Sequence, residues 1–294
     1  MKIIKYLDSL SSLENKTILV TGATSGIGLC LADQILYKKG KLVILARNLT
    51  KANKVKEGLL NKYPDAYIDI IEFDQSKKEL MDKALKEVIN KYKDFYALVI
   101  NAGIYMPDGN AVDEEGYTLT YSTNGIGLYY FFYKIIPYLS KEQRVILQGS
   151  FVSGWSQTKK VDLKDTAYPL HKQYVISKSM VESLYYHHLH IDNNYSLYLT
   201  EPGFTKTELT KNLSKAIKKF LAIVMAPLYH STEKASLTIM KALDKGTLDK
   251  SYIVPRGALT YVGFPAIRKF PKKRQREYLY NLVKEANRVG RKIR

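Results

Sequence analysis

Thr21-Gly22-Ala23-Thr24-Ser25-Gly26-Ile27-Gly28 joins a short β-branched run, Thr17–Thr21, to an apolar helical pattern, Ile27–Tyr37. Glycines there permit a tight turn and let the backbone approach a phosphate closely. A helix starting at that point aims free N–H groups and its positive dipole end at an anion. Gly22, Thr24, Ser25, Gly26, Ile27 and Gly28 are therefore candidates to cradle a dinucleotide pyrophosphate. The spacing is G-x-x-x-G-x-G, which departs from the G-x-G-x-x-G fingerprint of other dinucleotide folds.

Working outward, six more short apolar runs read as strands: Lys41–Ala46, Tyr67–Phe73, Tyr96–Asn101, Arg144–Gln148, Tyr195–Thr200 and Tyr252–Val254. Amphipathic segments separate them: Lys51–Lys62, Lys77–Tyr92, Glu115–Leu139, His171–Ile191 and Thr232–Leu243. Strict alternation predicts one α/β domain, a doubly wound parallel sheet with helices on both faces and right-handed crossovers. The domain spans 17–255, after an N-terminal helical extension, 1–16, that places Ile3, Ile4, Leu7 and Leu10 on one face. An insertion, 204–230, interrupts it, and a basic helical extension, 256–294, follows.

The 294 residues are 46% hydrophobic and 25% charged, a composition that excludes disorder, collagen-like repeats and coiled coil. The single cysteine, Cys30, forms no internal disulfide and is expected to be a buried, inert thiol on the first long helix. The start has no continuous apolar core of the signal-peptide kind, and the longest apolar run, Phe220–Tyr229, is half of what a bilayer needs. A cytoplasmic protein is expected. The net charge of +18 is uneven: Arg268–Arg294 carries eleven basic and two acidic residues, half of the excess. It reads either as a solvated helix or as a basic surface for a membrane or anionic ligand. No nucleic-acid reading motif accompanies it. The 215–229 stretch, basic in front and apolar behind, reads as a flap over a substrate, a peripheral membrane anchor, or both. His187, His188 and His190 could in principle hold a metal, but a helix surface is the expectation and no metal site is assigned.

Three further stations fall where strands end. After the second strand, where a carboxylate would bind the ribose 2′-hydroxyl of NAD, stand Arg47 and Asn48; an arginine there pairs with a 2′-phosphate, so NADP(H) is favoured over NAD(H). Asp74, after the third, is placed to touch adenine. Asn101-Ala102-Gly103 ends the fourth where such a cofactor must cross. A tyrosine four residues before a lysine shares a helix face with it. With 24 tyrosines the spacing recurs, at Tyr37/Lys41, Tyr130/Lys134, Tyr168/Lys172, Tyr174/Lys178 and Tyr280/Lys284. Pro169 displaces Tyr168 from helical geometry and Gly40 breaks the first pair, whereas Tyr174 lies early on a clean helix after the fifth strand. Ser150, at the end of that strand, can converge with Tyr174 on one substrate oxygen.

TGATSGIG, NAG, Asn124, Ser150, YVISK with Tyr174 and Lys178, and PGFTKT at Pro202–Thr207 occur in the order of the short-chain dehydrogenase/reductase family, which the chain resembles over about 15–255. The resemblance implies a seven-stranded Rossmann sheet and a catalytic tetrad of Asn124, Ser150, Tyr174 and Lys178. In that tetrad Tyr174 is the general acid/base, Lys178 lowers its pKa and grips the ribose, Ser150 steadies the substrate oxygen and Asn124 anchors a water. Asn124 could instead bend its helix near Gly125 and Gly127. The resemblance also implies cofactor contacts from Pro202, Gly203, Thr205 and Thr207, the last on the nicotinamide carboxamide or phosphates. Where the family often has paired serines the chain reads Gly149-Ser150, with Ser153 a nearby substitute. The segment from Ser150 to Tyr174 is longer than in most members and looks like the retinol-dehydrogenase-like branch. The expectation is an oxidoreductase passing hydride between NADP(H) and a small hydrophobic carbonyl or alcohol, as a monomer or a homo-oligomer. The alternative is a catalytically silent NADP(H)-binding regulator.

Overall fold

The computed structural model describes residues 2–105, 111–156, 161–205, 231–257 and 262–289. The strands are β1 (Thr17–Thr21), β2 (Lys41–Ala46), β3 (Ile68–Glu72), β4 (Ala97–Ile100), β5 (Arg144–Gln148), β6 (Ser196–Thr200), β7 (Tyr252–Pro255) and β8 (Pro265–Arg268). They form one sheet in the order β3-β2-β1-β4-β5-β6-β7-β8. The first seven are parallel, in register from Thr17 opposite Lys41 to Thr200 opposite Ile253. The sheet thus has eight strands rather than the expected seven, and 256–294 is not wholly helical. β8 pairs antiparallel with β7 in a hairpin, Ile253 opposite Ile267. Its four residues begin with a proline and leave Ile267 and Arg268 exposed, so no apolar run announced it; such composition suits an edge strand.

Alternating side chains of each strand feed opposite faces. Leu19, Val43, Leu98, Val145 and Leu197 enter one apolar layer. Over it lie α4 (Lys78–Lys91), α6 (Leu128–Ile135), α7 (Leu170–Leu189) and α10 (Glu277–Val289), which contribute Met81, Phe131, Met180 and Val283. Ile18, Leu42, Val99, Ile146 and Tyr198 enter the other layer, with Leu31 of α2 (Gly26–Tyr37), Leu59 of α3 (Leu49–Lys62) and Met240 of α9 (Leu237–Leu243). α8 (Thr232–Ala235) caps α2, and α1 (Ile3–Asp8) docks beneath the same layer. Leu7 and Leu10 are buried, but Ile4 is 61% exposed and Tyr6 takes its place against Phe264.

Before α6 the chain runs through α5 (Leu119–Tyr121) and a π-helical turn, Ser122–Gly127. Gly127 lets this turn lie directly on the loop after β3: a Cβ there would stand 1.7 Å from the Gln75 carbonyl oxygen. The C-terminal helix is amphipathic, burying Leu279, Tyr280, Val283 and Ala286 against α6 and α7. This packing corrects the expected histidine surface. His188 is buried, its ring nitrogens within 3.1 Å of Tyr133 Oη and 3.2 Å of Tyr195 Oη, and burial pushes its pKa down to about 4. His187 stacks on Tyr280 and bonds Glu277. Cys30 is only half-buried; its thiol faces Thr232 Oγ1 at 3.2 Å, and burial raises its pKa. No helix among the described residues is long and apolar enough to cross a membrane.

Replacing Gly127 by alanine should lower the unfolding free energy by about 1–3 kcal/mol, the range for overpacking a filled site. Urea titration would read it as a lower midpoint with an unchanged slope.

Candidate active site

β1 and β4 lie side by side although two strands and three helices separate them in the chain, so their carboxyl ends border the crevice where open parallel sheets bind ligands. Thr21 Oγ1 accepts the N–H groups of Asn101 and Ala102 at 3.0 and 2.9 Å, and Asn101 Nδ2 donates to the carbonyls of Thr21 and Gly22 at 3.1 and 3.3 Å. Asn101 thus braces the glycine turn. Gly22 takes φ +71°, a left-handed conformation that favours glycine. Gly28 lets α2 start hard against the turn, since a Cβ would lie 2.1 Å from Gly22 O. The Ser25 side chain makes no capping bond, so the first N–H groups of α2 are left to the crevice.

A cavity of about 620 Å³ runs along this edge, within the usual size range of cofactor sites. Gly22, Thr24, Ser25, Gly26, Ile27 and Gly28 line its middle, with Asn101, Ala102 and Gly103 opposite. Arg47, Asn48 and Asp74 line one end and Ser150, Tyr174, Lys178 and Pro202 the other. Asn48 lines the cavity while its Oδ1 accepts the Lys51 N–H at 2.8 Å, capping α3. Gly203 and Thr205 do not line the cavity, the Thr205 hydroxyl turning back to Pro202 O. Thr207, with most of the 204–230 insertion including 215–229, lies outside the described residues. Asp74 lines the cavity while accepting from Ser76 N–H and Oγ. The uncapped helix start, the glycine cradle and the basic far end fit a phosphate-bearing dinucleotide.

At the catalytic end Tyr174 and Ser150 line the same part of the cavity. Burial raises the phenol pKa, and the neighbouring Ser150 side chain works in the opposite direction. Lys178, on the same face of α7, donates to Gln148 O at 3.1 Å, and its Nζ stands 5.9 Å from the Tyr174 ring centre. Burial pushes its pKa down to about 8, against the pull of Glu182 one turn on. Asn124 engages both ends of its amide and keeps one Oδ1 lone pair for a further contact: Oδ1 accepts from Ile104 N–H and Nδ2 donates to Ile104 O, both at 2.8 Å, and to Ser177 Oγ at 3.1 Å. It therefore braces the loop after β4 from inside the π-helical turn. Ser153 is no substitute for Ser150, because its hydroxyl is tied to Ser150 O, Glu182 and Arg274.

Several lining residues carried no sequence signal strong enough to single them out. Lys51 lies one helical turn beyond Arg47, a spacing that could have flagged a second cation. Tyr105 follows Asn101-Ala102-Gly103-Ile104 and packs edge-on against Tyr174, centroids 4.7 Å apart. Next to Ser150 but outside the cavity lining, Phe151 meets Trp155 at 5.5 Å and Phe204 at 5.0 Å, an aromatic cluster.

A family model described as short chain dehydrogenase matches residues 16–218. The short-chain dehydrogenase/reductase pkfC of Emericella nidulans is 28% identical over 170 residues, 54% of each chain. A 3-keto-steroid reductase/17-beta-hydroxysteroid dehydrogenase 7 of Rattus norvegicus is 37% identical over 95 residues, 32% of this chain and 28% of that one. The chain thus spans about half or less of the length of these curated relatives. Among solved structures, a short-chain dehydrogenase/reductase of Brucella melitensis superposes with a TM-score of 0.66 at 18% identity, over 83% of this chain and 96% of that one, a likeness of fold. By its matched residues and its sheet, the chain belongs to the short-chain dehydrogenase/reductase family.

Proposed function

We propose that the protein is an NADP(H)-dependent oxidoreductase that reduces a hydrophobic ketone or aldehyde, or oxidises the corresponding alcohol. One observation carries it: Tyr174, Ser150 and Lys178 line the same cavity as the uncapped start of α2. Gly22–Gly28 would hold the pyrophosphate, and Arg47 with Lys51 would hold the 2′-phosphate by charge. The nicotinamide, when bound, supplies or takes up the hydride.

Tyr174 and Ser150 grip the carbonyl oxygen between them, and Tyr174 Oη passes its proton to that oxygen as negative charge develops there. A phenol titrates near 10, and burial raises it here, so the loss of that proton needs a nearby positive charge. Lys178 provides it. Asn124 Oδ1 and Lys178 Nζ both stand beside Gly103, where a shared water would return the proton. Phe151, Trp155 and Phe204, clustered next to Ser150 outside the cavity lining, would extend an apolar surface to a substrate there, and Tyr105 packs edge-on against the Tyr174 ring. The keto-steroid named for the Rattus norvegicus relative is a substrate of that apolar kind. The intact Tyr174–Lys178 pair favours turnover over a silent regulator, which has no use for a proton donor.

Tyr174→Phe removes only the donor, so turnover should fall by about 10²–10⁴-fold while NADPH affinity, read by fluorescence titration, stays within about twofold. Full activity in that variant would refute the mechanism. Arg47→Asp should weaken NADPH by about 10–100-fold, the loss of a charged hydrogen bond, and leave NADH binding equal or better. Unchanged discrimination would place cofactor choice elsewhere. Lys178 is charged below about 8, so carbonyl reduction should be flat below that pH and decline above it as the ammonium deprotonates. A rate still rising above pH 9 would contradict the assignment.

A further inference from the structure

Tyr174, Lys178 and Glu182 succeed one another at four-residue steps along one face of α7. The first two are accounted for by the chemistry; the third is a carboxylate with no exposed surface, outside the cavity lining. Glu201, just before Pro202, is equally buried. Both meet one cation, Arg274, from the short 3-10 turn Lys272–Arg274 in the basic C-terminal segment. Lys272 and Lys273 beside it face solvent, so within that turn Arg274 alone turns inward.

The guanidinium binds more than its counter-ions. Nε donates to Glu182 Oε2 at 3.0 Å and Nη1 to Tyr252 Oη at 2.8 Å. Nη2 reaches Glu182 Oε1, Glu201 Oε1, the Ser153 hydroxyl at 2.6 Å and the backbone carbonyl of Ser150 at 3.1 Å. Two residues on, Arg276 Nη2 donates to Ser156 O at 2.7 Å. The C-terminal segment therefore grips the single turn Ser150–Ser156 at its start, middle and end. Ser153 Oγ closes the loop by donating to the same Ser150 carbonyl at 2.8 Å. A planar fork is the side chain suited to hold several acceptors at once, and a lysine cannot reproduce it.

We propose that Arg274 is a positioning residue: by anchoring the Ser150–Ser156 turn to α7 and to the end of β6, it fixes the Ser150 hydroxyl against Tyr174. This rests on the oxidoreductase reading for its kinetic consequence, but not for its structural one. Without Arg274, Glu182 and Glu201 are two buried carboxylates sharing one site, which must then take up a proton or water, and the Ser150 carbonyl loses its outer anchor. A displacement of the order of 1 Å at a reacting group is enough to lower turnover by about 10²-fold. Cofactor affinity is set mainly at the other end of the cavity and should hardly change.

Trp155, the protein's single tryptophan, sits in that turn and reports on it directly. In Arg274→Ala, Trp155 fluorescence anisotropy should fall and kcat should drop by about 10–100-fold, with the NADPH Kd and the substrate KM within about twofold. Millimolar guanidinium chloride, filling the vacated cavity, should restore both the anisotropy and kcat. Arg274→Lys, which keeps the charge, should fold in any case and show a smaller loss of both. Wild-type anisotropy and kcat in Arg274→Lys and Arg274→Ala would overturn the proposal. So would a loss of kcat that tracks an equal loss of NADPH affinity and ignores guanidinium, the mark of general damage. If the unaltered protein turns over no carbonyl in a hydrophobic panel, the oxidoreductase reading fails, and the anisotropy series still decides the role of Arg274.

Discussion

The pairing of β1 with β4 is the constraint on which the rest of the molecule depends. Winding outward through β2 and β3 and then returning leaves the ends of β1 and β4 adjacent but unbridged by their own crossovers. Beyond the last ladder pair the backbone groups at these buried ends need other partners. Thr21 and Asn101 supply them through side-chain bonds to backbone, the kind that satisfies buried N–H groups where no ladder continues. Once that seam is fixed, the glycine turn has one conformation, α2 has one starting point, and Gly103 brings the β4 loop within reach of Asn124 and Lys178.

From Tyr174 the catalytic end extends inward as a sequence of alternating charges: the Lys178 ammonium, the Glu182 carboxylate, the Arg274 guanidinium and the Glu201 carboxylate. Each member is buried, and burial alone drives Lys178 down and Glu182 up. The arrangement offsets part of that penalty by placing each charge beside one of opposite sign, with Tyr252 Oη accepting from Nη1 and the Ser153 hydroxyl and Ser150 carbonyl sharing the Nη2 hydrogens with the two carboxylates. Such a chain is sensitive to the loss of any one member, because its neighbour is left buried and unpaired.

Much of this was legible in the sequence because the physics is local. Strands buried on both faces read as continuous apolar runs, as Leu98–Ile100 and Val145–Leu147 do, and a turn that needs φ > 0 favours glycine, as at Gly22. Tyr174 and Lys178 were recoverable because one helical face and one strand end place them. What escaped depends on contacts between distant segments. β8 is an edge strand with half its side chains in solvent, so its pattern is too weak to read. Asn48 follows β2 and lines the cavity, but that its Oδ1 also caps α3 shows only in the fold. Asn124 was open between two roles, and only the π-helical turn shows its amide fastened to Ile104. Arg274 is one of eleven basic residues in its segment, and nothing in the letters marks it as the one that faces inward.

The distance in sequence between the members of that buried cluster has a consequence for the order in which the protein can be completed. Glu182 precedes Arg274 by 92 positions and Glu201 precedes it by 73. At about 5–20 residues per second, both carboxylates are synthesised roughly 4–18 s before their common counter-ion. During that interval neither can be dehydrated cheaply, so the middle of α7 and the residue after β6 stay open to water while the amino-terminal half of the sheet is already free to assemble. The serine turn is thus among the last parts of the newborn chain to set.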